Sequence, residues 1–381
     1  MDFALTPEQR AFQQTVIRFA TRELNEEVTP RDGRGEFSRE AWNRCARFGI
    51  QGLPVPEAYG GAGADALQIT LAMEALGYGC RDNGLLFSLN AQMWSCEMPL
   101  VRSGSEDQKR RYLPGLCDGR LIGVQAMTEP TSGSDAFGLR TTARPDGDRY
   151  VLNGSKTFIT NAPVADLFVV FATVDPDAPL KGLTAFLVER DTPGLTIGRP
   201  LHKMGLRTSP MAELAFEECV VPPAALLGGV GAGAAIFNSS MDWERSCILG
   251  CALGTMRRQL ERCIEYAKAR HQFGQPIGKF QAVSHTIAEM RVRLETARLF
   301  LYKVGWMKAT GQRTGLESAM VKLYVSECFL QSSLDAVQVF GGYGYMAEYE
   351  LERDLRDAVG SRIYSGTSEI QKNIIAAHLG L

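Results

Sequence analysis

Residues 151–162 read VLNGSKTFITNA, and this stretch breaks a chain that is otherwise patterned for helices. It predicts two short strands that meet at a turn formed by Asn153 and Gly154, because an Asn-Gly pair favours tight hairpins. Other short runs rich in β-branched and aromatic residues follow it: ADLFVVFATV at 165–174, GLTAFLVER at 182–190 and AELAFEECVV at 212–221. The pattern therefore predicts a β-domain in the middle of the chain.

The sequence on both sides of this block has apolar residues at helical spacing. The clearest stretches are FQQTVIRFATREL at 12–24, LQITLAMEALGYG at 67–79 and MDWERSCILGCALGTMRRQLERCIEYAKAR at 241–270. They predict an α+β fold with a helical N-terminal domain over residues 1–120, the β-domain over 121–235 and a helical bundle domain over 236–381. The glycine-rich residues 228–233 precede a helix without a βαβ unit, which favours an interdomain turn over a dinucleotide-binding loop.

Composition excludes several classes of function for this chain of 381 residues. A formal net charge of −2 and the absence of a Lys/Arg block disfavour a nucleic acid or an anionic membrane as partner. The nine cysteines are scattered without a C-x-x-C pair and the four histidines lie far apart, so no disulfide framework and no metal site is expected. The start carries Asp2, Glu8 and Arg10 where a signal peptide would be apolar, and a cytoplasmic location is expected.

The densest polar patch is QAMTEPTSGSD at residues 125–135. Its hydroxyls and the backbone around Gly133 suit an oxyanion, a phosphate or a carbonyl-rich ring, although such a loop can also be a plain connector. Five other stretches accompany it: KTFITNA at 156–162, KMGLRTSP at 203–210, RHQFGQPIGKFQAV at 270–283, VQVFGGYGYMAEYELERDLRD at 337–357 and IYSGTSEIQ at 363–371. In order, spacing and context they resemble the acyl-CoA dehydrogenase family over nearly the whole chain.

That resemblance implies a helical N-terminal domain, a middle β-barrel domain, a C-terminal four-helix bundle and FAD as cofactor. By resemblance, the flavin-facing surface carries Gln125, Met127, Thr128, Gly133, Ser134, Phe158 and Thr160. Residues that would reach the FAD pyrophosphate and adenine of a neighbouring subunit are Arg270, Phe273, Gln281, Gln338, Gly341 and Gly342, and Thr367 and Glu369 complete the set. Glu369 stands where Gln is common. Because one subunit would complete the FAD site of another, the resemblance implies a homotetramer.

Removal of an α-proton from a thioester needs a carboxylate in a dry site. In many family members this base is a Glu directly before the Gly-Thr of the C-terminal motif, but here Ser365 stands there. Either the chemistry is lost, or the base lies elsewhere. An isovaleryl-CoA dehydrogenase-like branch carries its base in a D-x-E-R segment, which matches residues 242–245 and makes Glu244 the candidate; the alternative is that Glu244 pairs with an Arg on an exposed first helical turn. By the same resemblance, the Ser365 backbone N–H would polarise the thioester carbonyl.

Three features resemble the prolyl-carrier-protein dehydrogenases of pyrrole biosynthesis. They are Ser365, the neighbouring pair Trp243 and Glu244, and the stretch GCRDNGLLFSLNAQMWSCEMPL at 79–100. The resemblance implies oxidation of a carrier-bound prolyl thioester to a pyrrole-2-carboxyl thioester, as in antibiotic pathways. Candidate substrate contacts are Asn90, Gln92, Trp94, Arg245 and Ser365. A short or branched-chain acyl-CoA dehydrogenase and a non-catalytic flavin- or acyl-binding homologue remain alternatives. Both an electron-transfer flavoprotein and oxygen remain open as electron acceptors.

Overall fold

The computed structural model describes residues 4–381, so the Asp2 of the signal-peptide argument lies outside the described residues. The helices are α1 Pro7–Glu23, α2 Val28–Arg34, α3 Arg39–Phe48, α4 Ala66–Gly79, α5 Asn83–Gln92, α6 Met98–Ser103, α7 Glu106–Cys117, α8 Pro179–Gly182, α9 Gly233–Cys247, α10 Gly250–Ala269, α11 Gln281–Ala309, α12 Gly315–Phe340, α13 Leu351–Gly360 and α14 Ser368–His378. The strands are β1 Gly123–Ala126, β2 Thr142–Asp146, β3 Arg149–Thr160, β4 Leu167–Thr173, β5 Leu183–Glu189, β6 Leu195–Ile197, β7 Met211–Val221, β8 Leu226–Leu227, β9 His271–Gln272 and β10 Gln275–Pro276.

The order of these elements confirms the predicted fold class. Helices α1 to α7 come first, and strands β1 to β8 follow with only the short α8 among the α-helices there. Helices α9 to α14 come last, with the short hairpin β9–β10 between α10 and α11. The main sheet has the order β6-β7-β3-β2-β4-β5-β8, and β1 lies parallel to β4. The domain limits at residues 120 and 235 remain predictions: residue 120 falls between α7 and β1, and residue 235 falls in the first turn of α9.

The predicted hairpin turn at Asn153 and Gly154 is wrong. Strand β3 continues through both residues, and its register against β7 shifts between Leu152 and Gly154. Gly154 has φ of 146°, and a Cβ on it would stand 2.6 Å from Thr141 Oγ1. Gly154 therefore marks a β-bulge at which Thr141, from another segment of the same chain, comes close. Glycine inside a strand often has this role. The turn between β2 and β3 instead contains Gly147, whose φ is 63°.

Two glycines bring α4 of the helical first part against α10 of the C-terminal part. A Cβ on Gly77 would lie 1.9 Å from Cys251 O, and a Cβ on Gly254 would lie 2.1 Å from Glu74 O. The two helix backbones therefore touch at points that admit no larger side chain. Because α10 also packs against α11 and α12 and follows α9 directly, this contact fixes where the end of α9 stands relative to the N-terminal helices.

The interior contains all nine cysteines as free, buried thiols. A large apolar cluster extends from the N-terminal helices through one face of the sheet into the bundle, and a smaller one fills the other side of the sheet beneath α6, α7 and α9. Over residues 4–381, no helix combines the length and the apolar character needed to cross a membrane.

Candidate active site

Glu244 lies in the last turn of α9, and its side chain is enclosed by residues distant in sequence. It is 8% exposed. Its Oε2 accepts a hydrogen bond of 2.7 Å from Ser95 Oγ, and its Oε1 accepts one from Ser365 Oγ. The alternative of an exposed acid in a first helical turn does not fit this placement. The carboxylate is instead held by two neutral hydroxyl donors inside the protein.

The turn that carries Ser365 has an unusual backbone, with φ of 57° at Ser365 and 88° at Gly366. Left-handed conformations cost free energy at residues other than glycine, so they persist where the surroundings compensate. Three side chains do so here. Arg245 Nε donates to Ser365 O at 3.2 Å, Lys322 Nζ donates to Gly366 O at 2.6 Å, and Gln371 Nε2 donates to both carbonyls at 3.1 and 2.9 Å.

Two of these donors are cations in a poorly hydrated place. Burial and, to a smaller extent, the nearby charge of Arg245 lower the pKa of Lys322 to about 8. Burial also lowers the pKa of Arg245, against the attraction of Glu244 and Asp242. The charges therefore depend on local acceptors for compensation, and the carbonyls of the turn supply part of it.

A cavity of about 30 Å³ lies one helical turn from Glu244 along α9 and α10. Its lining consists of Asn83, Leu86, Phe87, Asn90, Leu206, Ile248, Cys251, Ala252, Phe329, Asp357 and Tyr364. The predicted substrate residue Asn90 is thus part of a cavity wall. Its Oδ1 accepts a hydrogen bond of 2.7 Å from Nε1 of Trp94, whose buried ring stacks on Trp243 at 6.2 Å between centroids.

Gln92, also predicted to meet the substrate, has a different environment. Its Nε2 donates to Leu116 O at 3.1 Å and to Glu97 at 2.8 Å, and its Oε1 accepts from the backbone N–H of Gly123 at 2.9 Å. These bonds join the first helices to β1. The side chain is fully buried there, which fits a structural joint better than a substrate contact, and its role in binding remains a prediction.

The predicted flavin-facing residues come from two neighbouring segments. Thr128 follows β1 and accepts a backbone bond of 2.9 Å from Thr157 in β3. Phe158 follows with φ of 57°, at a register shift that turns its ring outward and leaves it 62% exposed. Thr160 ends β3. Gly133 and Ser134 lie in an exposed bend beyond β1, while Met127 is buried.

A buried ion pair between Lys156 and Glu129 lies next to the predicted flavin-facing residues. Lys156 Nζ donates to Met127 O at 3.0 Å and to Glu129 Oε1 at 2.8 Å. Burial lowers the pKa of Lys156 to about 8, an effect that Glu129 opposes. Burial acts to raise the pKa of Glu129, but Lys156 and backbone donors outweigh it and hold that pKa below its usual value. The pair ties the loop after β1 to β3.

Two features of this surface fit a flavin ring. Phe158 presents an exposed aromatic face in a strained conformation, and such strain clusters at ligand sites. The Nε2 of Gln125 is buried without a hydrogen-bond partner within the described part of the chain. A buried donor left unpaired is costly, so a ring with polar edges would satisfy it.

A second surface contains residues expected to meet a neighbouring subunit's cofactor. Arg270, directly after α10, lies with its guanidinium 5.7 Å from the centre of the Tyr343 ring. An open depression of about 440 Å³ surrounds them, lined by Tyr266, Arg270, Gln272, Ile277, Val339, Phe340, Gly341, Gly342, Tyr343 and Met346. Phe273, Gln281 and Gln338 are exposed around it. Of the remaining pair, Thr367 caps α14 through a bond from Ile370 N, and Glu369 is exposed.

The comparisons with known proteins agree with this architecture. Models of the acyl-CoA dehydrogenase N-terminal, middle and C-terminal domains match residues 6–120, 124–219 and 231–380. The chain belongs to the acyl-CoA dehydrogenase family.

Within that family, it is similar to proteins that act on carrier-bound proline. An L-prolyl-[peptidyl-carrier protein] dehydrogenase of Serratia sp. is 44% identical over 381 residues, covering 100% of this chain and 99% of the relative. The crystal structure of the prolyl acyl carrier protein oxidase AnaB shares 51% identity with a TM-score of 0.98, over 99% of this chain and 100% of that one. PigA, solved with FAD and proline, shares 44% identity and a TM-score of 0.98 over both full chains. The resemblance to prolyl-carrier-protein dehydrogenases is confirmed.

Proposed function

We propose that this protein is an FAD-dependent dehydrogenase that oxidises a prolyl group held as a thioester on a peptidyl carrier protein, towards the pyrrole-2-carboxyl thioester. Sequence identities of 44% and 51% over nearly the full length, to two proteins named for carrier-bound proline, support the substrate class. The observation that carries the chemistry is the buried Glu244 carboxylate, held between the hydroxyls of Ser95 and Ser365. It provides the base that Ser365 itself cannot provide.

Glu244 and Ser365 have separate roles in one oxidation of the substrate. Glu244 takes the α-proton of the thioester, and the Ser365 backbone N–H polarises the thioester carbonyl so that the developing negative charge is stabilised. FAD, when bound, supplies the acceptor for the hydride that leaves the substrate. Asn90, which lies in the cavity wall and accepts a hydrogen bond from Trp94, is the candidate polar contact for the ring nitrogen. Pyrrole formation requires more than one such round.

FAD would be held by residues from two subunits. Gln125, Thr128, Phe158 and Thr160 would contact the ring, while Arg270 of a neighbouring copy would meet the diphosphate with its planar fork. The depression around Arg270 is open to solvent in a single chain, which suits a site completed by assembly.

Helix α11 supports the same assembly, a homotetramer. Val292, Leu299 and Trp306 recur every seven residues along it and are 62%, 52% and 51% exposed. An exposed apolar ridge of this kind would suit a contact with another chain and so supports the proposed assembly. Light scattering combined with flavin absorbance tests the assembly, and a monomer that keeps stoichiometric FAD would contradict it.

The compartment and the electron acceptor complete the proposal. Nine free, buried cysteines suit the reducing cytoplasm. The final electron acceptor would be either an electron-transfer flavoprotein or oxygen. Stopped-flow reoxidation in air and with the purified flavoprotein separates these two acceptors.

The Glu244→Gln variant tests the base. We expect it to retain FAD and to lose anaerobic bleaching of the flavin by prolyl-loaded carrier protein by at least about 100-fold, the usual minimum for a general base. Bleaching at the wild-type rate would remove Glu244 from the mechanism. A panel of acyl-CoAs provides the substrate control, since bleaching by free acyl-CoAs alone would make the prolyl assignment wrong while leaving the base intact.

A further inference from the structure

The chain between α5 and α6 forms a π-helical turn over Met93–Glu97. Pro99 lies two residues after this turn. Pro99 has no N–H to donate to the carbonyl of Ser95, and its ring would clash with that carbonyl in a regular helix. The N–H of Met98 donates to the carbonyl of Met93, five residues earlier, and not to that of Trp94, four residues earlier. Trp94 O therefore lacks the donor that a regular helix would give it. Widened turns of this kind occur often at functional sites.

Three contacts fasten this π-turn to α9. Ser240 Oγ donates to the freed Trp94 O at 3.0 Å, and the Trp94 ring stacks on Trp243 with an interplanar angle of 14°. Ser95 Oγ donates to Glu244 Oε2 at 2.7 Å. Positions 240, 243 and 244 are three and four residues apart and share one helix face. Together these contacts form a seam between the π-turn and α9. The hydrogen bond from Ser95 to Glu244 is part of this seam.

We infer that Ser95 is a positioning residue for Glu244, in that its hydroxyl fixes the orientation of the carboxylate and stabilises its charged form. The inference deepens the proposed function and depends on it. Ser365 occupies Oε1 and Ser95 occupies Oε2, so the rotation of the carboxylate is determined from both sides. Hydrogen bonds to a charged acceptor are stronger than those between neutral groups, and they favour the ionised form.

The other charged or titratable groups that face Glu244 belong to three elements: Arg245 on its own helix, Lys322 on α12 and Tyr364 in the turn before α14. Replacement of Ser95 by alanine removes none of them. A change in the pH dependence of the reaction in that variant therefore reports the lost hydroxyl.

The experiment compares Ser95→Ala with Ser240→Ala. Ser240 belongs to the same seam but bonds to Trp94 O, so its variant measures the effect of loosening the seam alone. The rate constant for anaerobic bleaching of the holoenzyme flavin by prolyl-loaded carrier protein is measured across pH. We expect Ser95→Ala to move the acid limb of the profile upward by about one pH unit, the equivalent of one hydrogen bond to a charged group. At a pH on that limb, the rate should fall about tenfold while KM stays the same.

Ser240→Ala should leave the acid limb in place, and Ser95→Cys, with its weaker donor, should give an intermediate shift. An acid limb in Ser95→Ala that stays at the wild-type pH, or a shift of equal size in Ser240→Ala, overturns the inference. Glu244→Gln separates this failure from failure of the proposed function. If that variant still bleaches its flavin at the wild-type rate, the base assignment fails; if it does not and Ser95→Ala keeps the wild-type profile, only the role of Ser95 is lost.

Discussion

Replacement of Glu97 by Gln should stabilise the protein at neutral and alkaline pH. Glu97 ends the π-turn and is fully buried. Its Oε1 accepts a bond of 2.8 Å from Gln92 Nε2, while its Oε2 has no hydrogen-bond partner among residues 4–381. Burial raises the pKa of Glu97 from 4.5 to about 8, and the bond from Gln92 offsets only part of that effect.

The direction and size of the effect follow from this raised pKa. Below pH 4.5 the carboxyl is neutral in both the folded and the unfolded chain, so its contribution to stability is fully present. Above pH 4.5 the unfolded chain ionises while the folded protein keeps the proton, and the free energy of unfolding falls until the pH reaches about 8. Each pH unit in this window costs about 1.4 kcal/mol, which gives about 3 kcal/mol at pH 7. Gln has the shape of the neutral acid and does not titrate.

The assay is thermal unfolding followed by tryptophan fluorescence at pH 5, 6, 7 and 8, at one scan rate. The midpoint of Glu97→Gln should exceed that of the wild type by an amount that grows with pH, to roughly 4 °C at pH 7 for a chain of this length. The exposed Glu57→Gln variant serves as control and should match the wild type throughout. A midpoint difference for Glu97→Gln that stays constant from pH 5 to pH 8 would refute the reasoning.

Three further changes test other parts of the structure. Lys156→Met leaves the buried Glu129 carboxylate without its cation, and we expect a loss of about 3–5 kcal/mol in denaturant unfolding. Gly254→Ala places a methyl group 2.1 Å from Glu74 O and should force α4 and α10 apart, lowering stability by about 3 kcal/mol or more, seen as a lower melting midpoint. Arg270→Ala should weaken FAD binding by about tenfold or more without lowering the melting midpoint of the apoprotein, measured by equilibrium dialysis.

Each of these changes has its own control. The loss in Lys156→Met should shrink at acid pH, where Glu129 becomes neutral, and an effect independent of pH would contradict the ion-pair explanation. Gly33→Ala, in α2, is the control for adding a methyl group to a helix where no neighbouring atom stands within 4 Å of the new Cβ. Exposed Arg313→Ala provides a matched loss of charge away from the depression, and equal FAD affinity in it and in Arg270→Ala would refute the role of Arg270.

The order of secondary structure was predictable because it depends on local periodicity, and the periods of helix and strand differ. The predicted turn at Gly154 is wrong because an Asn-Gly pair can form either a hairpin turn or a β-bulge. The close approach of Thr141, which decides between the two, is a tertiary contact. Ser95 could not be found from local patterns, since 149 positions separate it from Glu244. Its nearest sequence signal is Pro99, which predicts a disturbed helix without saying what the disturbed turn will face.

Lys322 and Gln371 were missed for a related reason. The sequence pattern predicts a solvated side chain for a lysine such as Lys322. In the structure its ammonium group instead donates to the carbonyl of Gly366, a contact that no sequence pattern reveals. Tertiary contacts of this kind determine the site, whereas the motifs determine only the fold and the family.

The positions of Ser365 and Glu244 explain why the two are found together. Their side chains share a hydrogen bond, so a glutamate at 365 would bring a second carboxylate against the first, where two like charges within a few ångströms cannot both be ionised. One of the two would hold a proton at neutral pH and could not act as a base. A serine at 365 removes this conflict and adds a hydroxyl that donates to Oε1 of Glu244. In the proposed mechanism, which places the base at Glu244, this geometry therefore favours a serine over an acid at position 365.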